Sequence, residues 1–197
     1  MKYNLLAVIA LIISMPLTAA SFDCRKAGTS VEHTICDDSA LSKADSKLGK
    51  AYSRLRRALP RSERRILKKD QRKWLKERKS AFTACARGVE GEWTNTAMCY
   101  LGYYENRLKQ LSPLKNASFN CRKAATKTEK KICGSRLLRH ADGIVAKLYK
   151  PLRKEFKNDQ RNWITSRNAE LSRSSCNVEC AWELYKDRIN TLLHYSF

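Results

Sequence analysis

Cysteine is the side chain with the most available chemistry in this 197-residue chain. Cys24, Cys36, Cys85, Cys99, Cys121, Cys133, Cys176 and Cys180 offer a disulfide framework, a zinc site or thiol redox catalysis. No two stand as C-x-x-C, and His33, His140 and His194 fall in no metal-ligand spacing, so the reading carries no metal and no redox dithiol. Other catalytic arrangements are missing too. There is no Ser-His-Asp or Cys-His grouping at a recognisable spacing, and no Gly-rich phosphate loop among seven glycines. Glu32 and Glu129 would be the carboxylates for glycoside hydrolysis, but they read better as local helix or ion-pair residues. The chain is expected to be non-enzymatic, with no catalytic residue and no cofactor.

The remaining chemistry is buried charge. Asp70-Gln71-Arg72-Lys73-Trp74-Leu75-Lys76-Glu77-Arg78 returns as Asp159-Gln160-Arg161-Asn162-Trp163-Ile164-Thr165-Ser166-Arg167. Gln71, Trp74 and Arg78 share one helical face with Leu67, Ala81 or Phe82, and Cys85, so a Gln and an Arg point at a core and need partners there. The preceding stripe of Leu41, Ala44, Asp45, Leu48, Tyr52 and Leu55 supplies them. If Pro60 and Arg61 turn the chain into an antiparallel hairpin, Asp45 faces Arg78, Leu48 faces Leu75 and Tyr52 faces Gln71. The second copy repeats the register, with Asp142 facing Arg167 and Tyr149 facing Gln160. Asp45–Arg78 and Asp142–Arg167 read as buried ion pairs that set hairpin register.

The elements that must hold these residues come twice. Ser21 to Ala27 matches Ser118 to Ala124, Glu32, Ile35 and Cys36 match Glu129, Ile132 and Cys133, and Tyr104, Arg107 and Leu111 match Tyr185, Arg188 and Leu192. Nothing alternates with period two, so the expected fold is all-α: two tandem, small, disulfide-stapled helical-hairpin domains of about four helices each. They span 21–112 and 118–197, with a linker at 113–117 opened by Pro113. Each copy holds a short helix, two hairpin arms and a closing helix, about Asn95 to Leu111 in the first. Pro151 is expected to kink or shorten its arm. The repeat leaves three pairings for the four cysteines of each copy. Neighbours are favoured: Cys24–Cys36, Cys85–Cys99, Cys121–Cys133 and Cys176–Cys180, the last pair, four residues apart, fitting a turn better than a helix.

Residues 1–20 read as a signal peptide, with Lys2, an apolar run from Leu5 to Met15, and Thr18-Ala19-Ala20 before the cut. The expected location is therefore periplasmic or secreted, and no later segment is apolar enough to span a membrane. Without those residues 39 basic and 19 acidic residues remain, a net +20. Arg54–Lys79 alone holds 13 basic and three acidic residues. So one-sided a field favours anionic partners. Nucleic acid is unlikely among them, because Trp74, Trp163 and Tyr52 lie on core stripes instead of interleaving with the basic face.

The motifs in order are Phe22-Asp23-Cys24, Val31-Glu32 with Ile35-Cys36, Leu41 with Asp45, Tyr52, Gln71 with Trp74-Leu75 and Arg78, Cys85, Cys99, and Tyr104 with Arg107. This order resembles the N-terminal domain of the LprI-type lysozyme inhibitor family, in two tandem copies. The second is degraded: Lys127-Thr128-Glu129 replaces Ser30-Val31-Glu32, and its last two cysteines are four residues apart instead of 14. The resemblance implies inhibition of a lysozyme-type cell-wall hydrolase. C-type lysozymes are basic themselves, so a cationic inhibitor would work through a local acidic or shape-complementary patch. Glu90 and Glu92, with Trp93, are the expected candidates for insertion into a cleft. The alternative is a cationic module that docks on lipopolysaccharide, anionic glycan or a membrane surface, through Arg64, Arg65, Lys68 and Lys69.

Overall fold

The computed structural model describes residues 20–88 and 96–195. Glu90, Glu92 and Trp93 fall outside them. The described residues form eight α-helices and no strand: α1 (Ser30–Asp37), α2 (Ser39–Ala58), α3 (Arg61–Arg87), α4 (Thr96–Gln110), α5 (Lys127–Gly134), α6 (Arg136–Leu152), α7 (Lys157–Ser172) and α8 (Val178–His194). Four bridges join Cys24–Cys36, Cys85–Cys99, Cys121–Cys133 and Cys176–Cys180.

Local chemistry explains most helix ends. Thr29 and Glu32 form a capping box at α1, and Thr126 and Glu129 form its twin at α5. Hydrogen bonds from Gly28 N–H and Thr29 to Glu32, and from Thr126 N–H and Ala125 N–H to Glu129, hold both glutamates below the ordinary carboxylate range. Asp38, Ser135 and Asn177 cap α2, α6 and α8 with side-chain oxygens. α3 ends on Gly88 at φ +65°, the left-handed position a glycine takes without strain. Pro151 lies in the last turn of α6, which stops at Leu152, so the arm is shortened.

The helical-hairpin register holds at one end and fails at the other. Arg78 Nη1 lies 3.3 Å from Asp45 Oδ1, and Arg167 Nη1 lies 3.2 Å from Asp142 Oδ1. Leu48, however, is buried while Leu75 is 43% exposed, so those two do not face each other. Gln71 does not meet Tyr52, nor Gln160 Tyr149. Arg107 takes Gln71 and Arg188 takes Gln160. The cause is the closing helix: α2 packs mainly on α4, and α6 on α8, so the third helix inserts its own polar residues between the arms.

The two copies also pack on each other. Lys115 N–H, in the expected linker, donates to His140 Nδ1 at 3.1 Å, while His140 Nε2 meets Gln110 O at 3.0 Å. Asn116 O and Lys115 lie so close to Gly143 that a side chain there would collide with the carbonyl. From α3, the buried Glu63 accepts a hydrogen bond from Leu137 N, in the first turn of α6, at 2.9 Å. The buried core runs through both copies, from Ile35, Leu67 and Tyr104 to Trp182, Tyr185 and Ile189.

Candidate functional site

Each copy builds its interior around two polar centres. At the first, Asp45 Oδ1 accepts from Tyr104 Oη at 2.9 Å as well as from Arg78, and Asp45 Oδ2 accepts from Ser21 N at 2.7 Å. Asp142 repeats this with Tyr185 Oη at 2.9 Å, Arg167, and Ser118 N at 2.7 Å. Burial raises both tyrosine hydroxyls well above their ordinary value, and the neighbouring aspartates push the same way, so they stay protonated as donors.

At the second centre, Arg107 reaches Asp70 at 2.7 Å, Gln71 at 2.7 Å and Gln110 at 2.8 Å. Its twin Arg188 reaches Asp159 and Gln160, both at 2.6 Å. The environments differ. Asp159 is 54% exposed at its side chain, whereas Asp70 is buried and receives the Lys186 ammonium from the second copy. Burial alone would raise Asp70, but Arg107 and Lys186 outweigh it and hold the carboxyl below its ordinary value. Of these residues only Arg78 keeps a buried side-chain atom, Nε, without a hydrogen-bond partner among the described residues, and so dense a network suits a scaffold.

The indole faces define what the scaffold presents. Trp74 lies under Arg78 and Arg107, each 5.8 Å from its ring centroid, and stacks on Tyr103 at 5.1 Å. Trp163 lies under Arg167 and Arg188 at 5.1 and 5.5 Å. Beside each indole runs a groove between the second hairpin arm and the closing helix, and the lining positions correspond through the repeat. Trp74, Glu77, Ala81, Cys99, Gly102, Tyr103 and Asn106 in the first copy match Trp163, Ser166, Glu170, Cys180, Glu183, Leu184 and Asp187 in the second.

The matched grooves have diverged. The first has a volume of about 1300 Å³, with Met98 and Tyr195 exposed at its lip. The buried Oδ1 of Asn106 has no partner among the described residues. The second is about 460 Å³: Glu183 and Glu170 stand where the first has Gly102 and Ala81, and it lacks the further wall that Lys186, Asn190 and Leu193 of α8 give the first. Glu170, Glu183 and Asp187 line it with Arg167, and Glu179 lies one turn before Glu183 on α8. Glu170 pairs with Arg173 at 2.6 Å, Glu183 with Lys186 at 3.0 Å and Glu179 with Lys69 at 2.6 Å, so Asp187 is the one of these four acids without an ion pair among the described residues. Glu170 also approaches Cys176 and Cys180, but those sulfurs are bonded to each other, so the group offers a metal one carboxylate.

The cationic candidates separate into two kinds. Arg64 Nε donates to Leu59 O at 2.7 Å and so closes the C-terminus of α2, and Lys69 pairs with Glu179 of the other copy at 2.6 Å. Arg65 and Lys68 are exposed on α3. Sequence reasoning did not assign roles to Tyr104, Arg107 and Lys186. The first two carried a signal, since they recur as Tyr185 and Arg188, whereas Lys186 belongs to the contact between copies, which leaves no periodic trace.

A family model described as "Lysozyme inhibitor LprI" matches residues 23–111 and again residues 121–192. No curated protein and no solved structure matches the chain.

Proposed function

We propose, from the premise that this chain belongs to the lysozyme inhibitor LprI family, that it is an exported, non-enzymatic protein that binds and blocks a lysozyme-type cell-wall hydrolase. The match of the family model to both repeats carries the reading. Four disulfides fit an oxidising compartment outside the cytoplasm. No helix among the described residues is long and apolar enough to cross a membrane.

The acidic groove of the second copy is where a basic hydrolase would dock. A net charge of +21 opposes the approach of a cationic enzyme at long range, so the contact must be local. Glu183 and Asp187 lie one turn apart on α8, which packs along α6, so little ordering is needed on binding. The test is titration of a c-type lysozyme with the disulfide-bonded protein in a cell-wall clearing assay. Inhibition in the nanomolar to micromolar range is expected. Glu183→Lys with Asp187→Lys should weaken it at least about tenfold, since like charges then meet across the contact. Glu90→Lys with Glu92→Lys, assayed alongside, shows whether the segment before α4 contributes. Absence of inhibition across basic and neutral lysozymes would overturn the proposal.

A further inference from the structure

The outer face of α3 carries charge that its own fold leaves uncompensated. Arg61, Arg65, Lys68, Arg72, Lys76 and Lys79 recur every three or four residues, so they stand in one row, one cation per turn, over about 27 Å. All six are exposed, and none forms an ion pair with a carboxylate among the described residues. In an ordinary surface helix acids at i+4 spacing neutralise such a row. Here the acids are turned inward: Glu63 is spent on the start of α6, and Asp70 on Arg107 and Lys186. Glu77 sits off the row beside Lys73. Two shallow grooves of about 440 and 520 Å³ lie along this face, lined only by arginine and lysine and sharing Arg65 and Lys68.

We propose that this row is a binding site for a linear, phosphate-bearing polymer laid along α3. The length and regularity of the row fit an extended chain of anions better than a single phosphate. It carries no aromatic side chain on which a nucleic-acid base could stack. Leu75 is the one exposed large apolar residue beside it, which is too little to anchor the face in a bilayer. The second copy lacks the site. Lys76 and Lys79 are replaced by Thr165 and Asn168, and α7 begins only at Lys157, leaving the equivalent of Arg65 in the preceding turn. The repeats have therefore diverged in opposite senses, one toward a cationic face and the other toward an acidic groove. The site stands independently of hydrolase inhibition.

The experiment measures binding of the disulfide-bonded protein to long-chain inorganic polyphosphate across a salt series. The stripe variant is Arg65→Gln with Lys68→Gln and Arg72→Gln. The control, equal in charge, is Lys123→Gln with Lys127→Gln and Lys130→Gln, all exposed on the other copy. The stripe variant should bind at least about tenfold more weakly, with the slope of log K against log salt reduced by about 2. The control should stay within about twofold, and lysozyme inhibition by the stripe variant should not change. Equal weakening of both variants would overturn the proposal, because net charge alone would then explain binding. So would orthophosphate competing as well as the polymer at equal phosphate. Tighter binding to a single-stranded oligonucleotide, or to vesicles of anionic lipid, at equal charge would also overturn it in favour of nucleic acid or membrane.

Discussion

Acidification should loosen the junction between the two copies at one residue, His140. Its ring has no solvent exposure, and both nitrogens are committed. Lys115 N–H points at Nδ1, so Nδ1 must be the bare acceptor and Nε2 the protonated donor to Gln110 O. A second ring proton would set two N–H groups against each other in a buried site beside Lys115. Burial accordingly lowers this histidine from its ordinary 6.5 to about 4. For a base with a depressed folded value, the stabilisation is complete above 6.5 and is lost as pH falls toward 4. The full effect is about 3 kcal/mol, and about 1 kcal/mol of it should disappear between pH 6 and pH 5. The assay is urea unfolding of the oxidised protein at half-unit steps from pH 7.5 to 4.5, for wild type and His140→Asn. The variant keeps an acceptor near Lys115 N–H but has no proton to gain. It should be less stable at pH 7.5 and nearly flat across the window in which wild type declines. His33→Asn, exposed on α1, serves as a control and should keep the wild-type slope. If His140→Asn declines with pH as steeply as wild type, the buried ring is not the proton sink.

Four further outcomes follow from the same contacts. Trp74→Ala removes a ring packed on Tyr103 and Tyr104 and should cost about 3–5 kcal/mol, read by denaturant unfolding; an unchanged midpoint would refute its core role. Arg78→Leu strands the buried Asp45, so it should destabilise more than Arg78→Leu combined with Asp45→Asn, and simple additivity in the double-mutant cycle would show the pair uncoupled. Asp70→Asn should cost about 3–5 kcal/mol by leaving two cations, Arg107 and Lys186, uncompensated, whereas Asp159→Asn leaves only Arg188 uncompensated, beside a position that water reaches, and should cost less; equal losses by thermal unfolding would deny the difference between the twins. Replacing Cys85 and Cys99 by serine should cost about 1 kcal/mol more than replacing Cys176 and Cys180, because the first bridge closes 14 residues and the second four; the reverse order in urea would refute the chain-entropy account.

Much of the architecture is local and therefore readable from residue order. Capping boxes at Thr29 and Thr126, helical stripes, the Pro60 turn and the twofold recurrence all act over a few residues or repeat within the chain, and they point to an all-α, stapled fold. The pairing of Asp45 with Arg78 was legible because a hairpin register relates two adjacent helices. The same register misplaced Tyr52 and Gln71, since it treated the arms as a pair and the closing helix as a cover. Arg107 enters from that third helix and offers Gln71 a charged donor, which outcompetes a phenol.

By itself the sequence determined the repeat, the all-α class and the excess of positive charge, and it favoured bridges between neighbouring cysteines. Only the tertiary structure decided how that charge is distributed. Asp70 and Glu63 look like ordinary members of a mixed helix until the second copy packs against α3 and draws both inward, onto Lys186 and onto Leu137 N. Partners 74 and 116 residues away leave no local spacing to detect, because burial of a charge depends on what arrives across the interface and not on the charge's neighbours in the chain. The same packing that hides the acids leaves the cations of α3 facing solvent in a row.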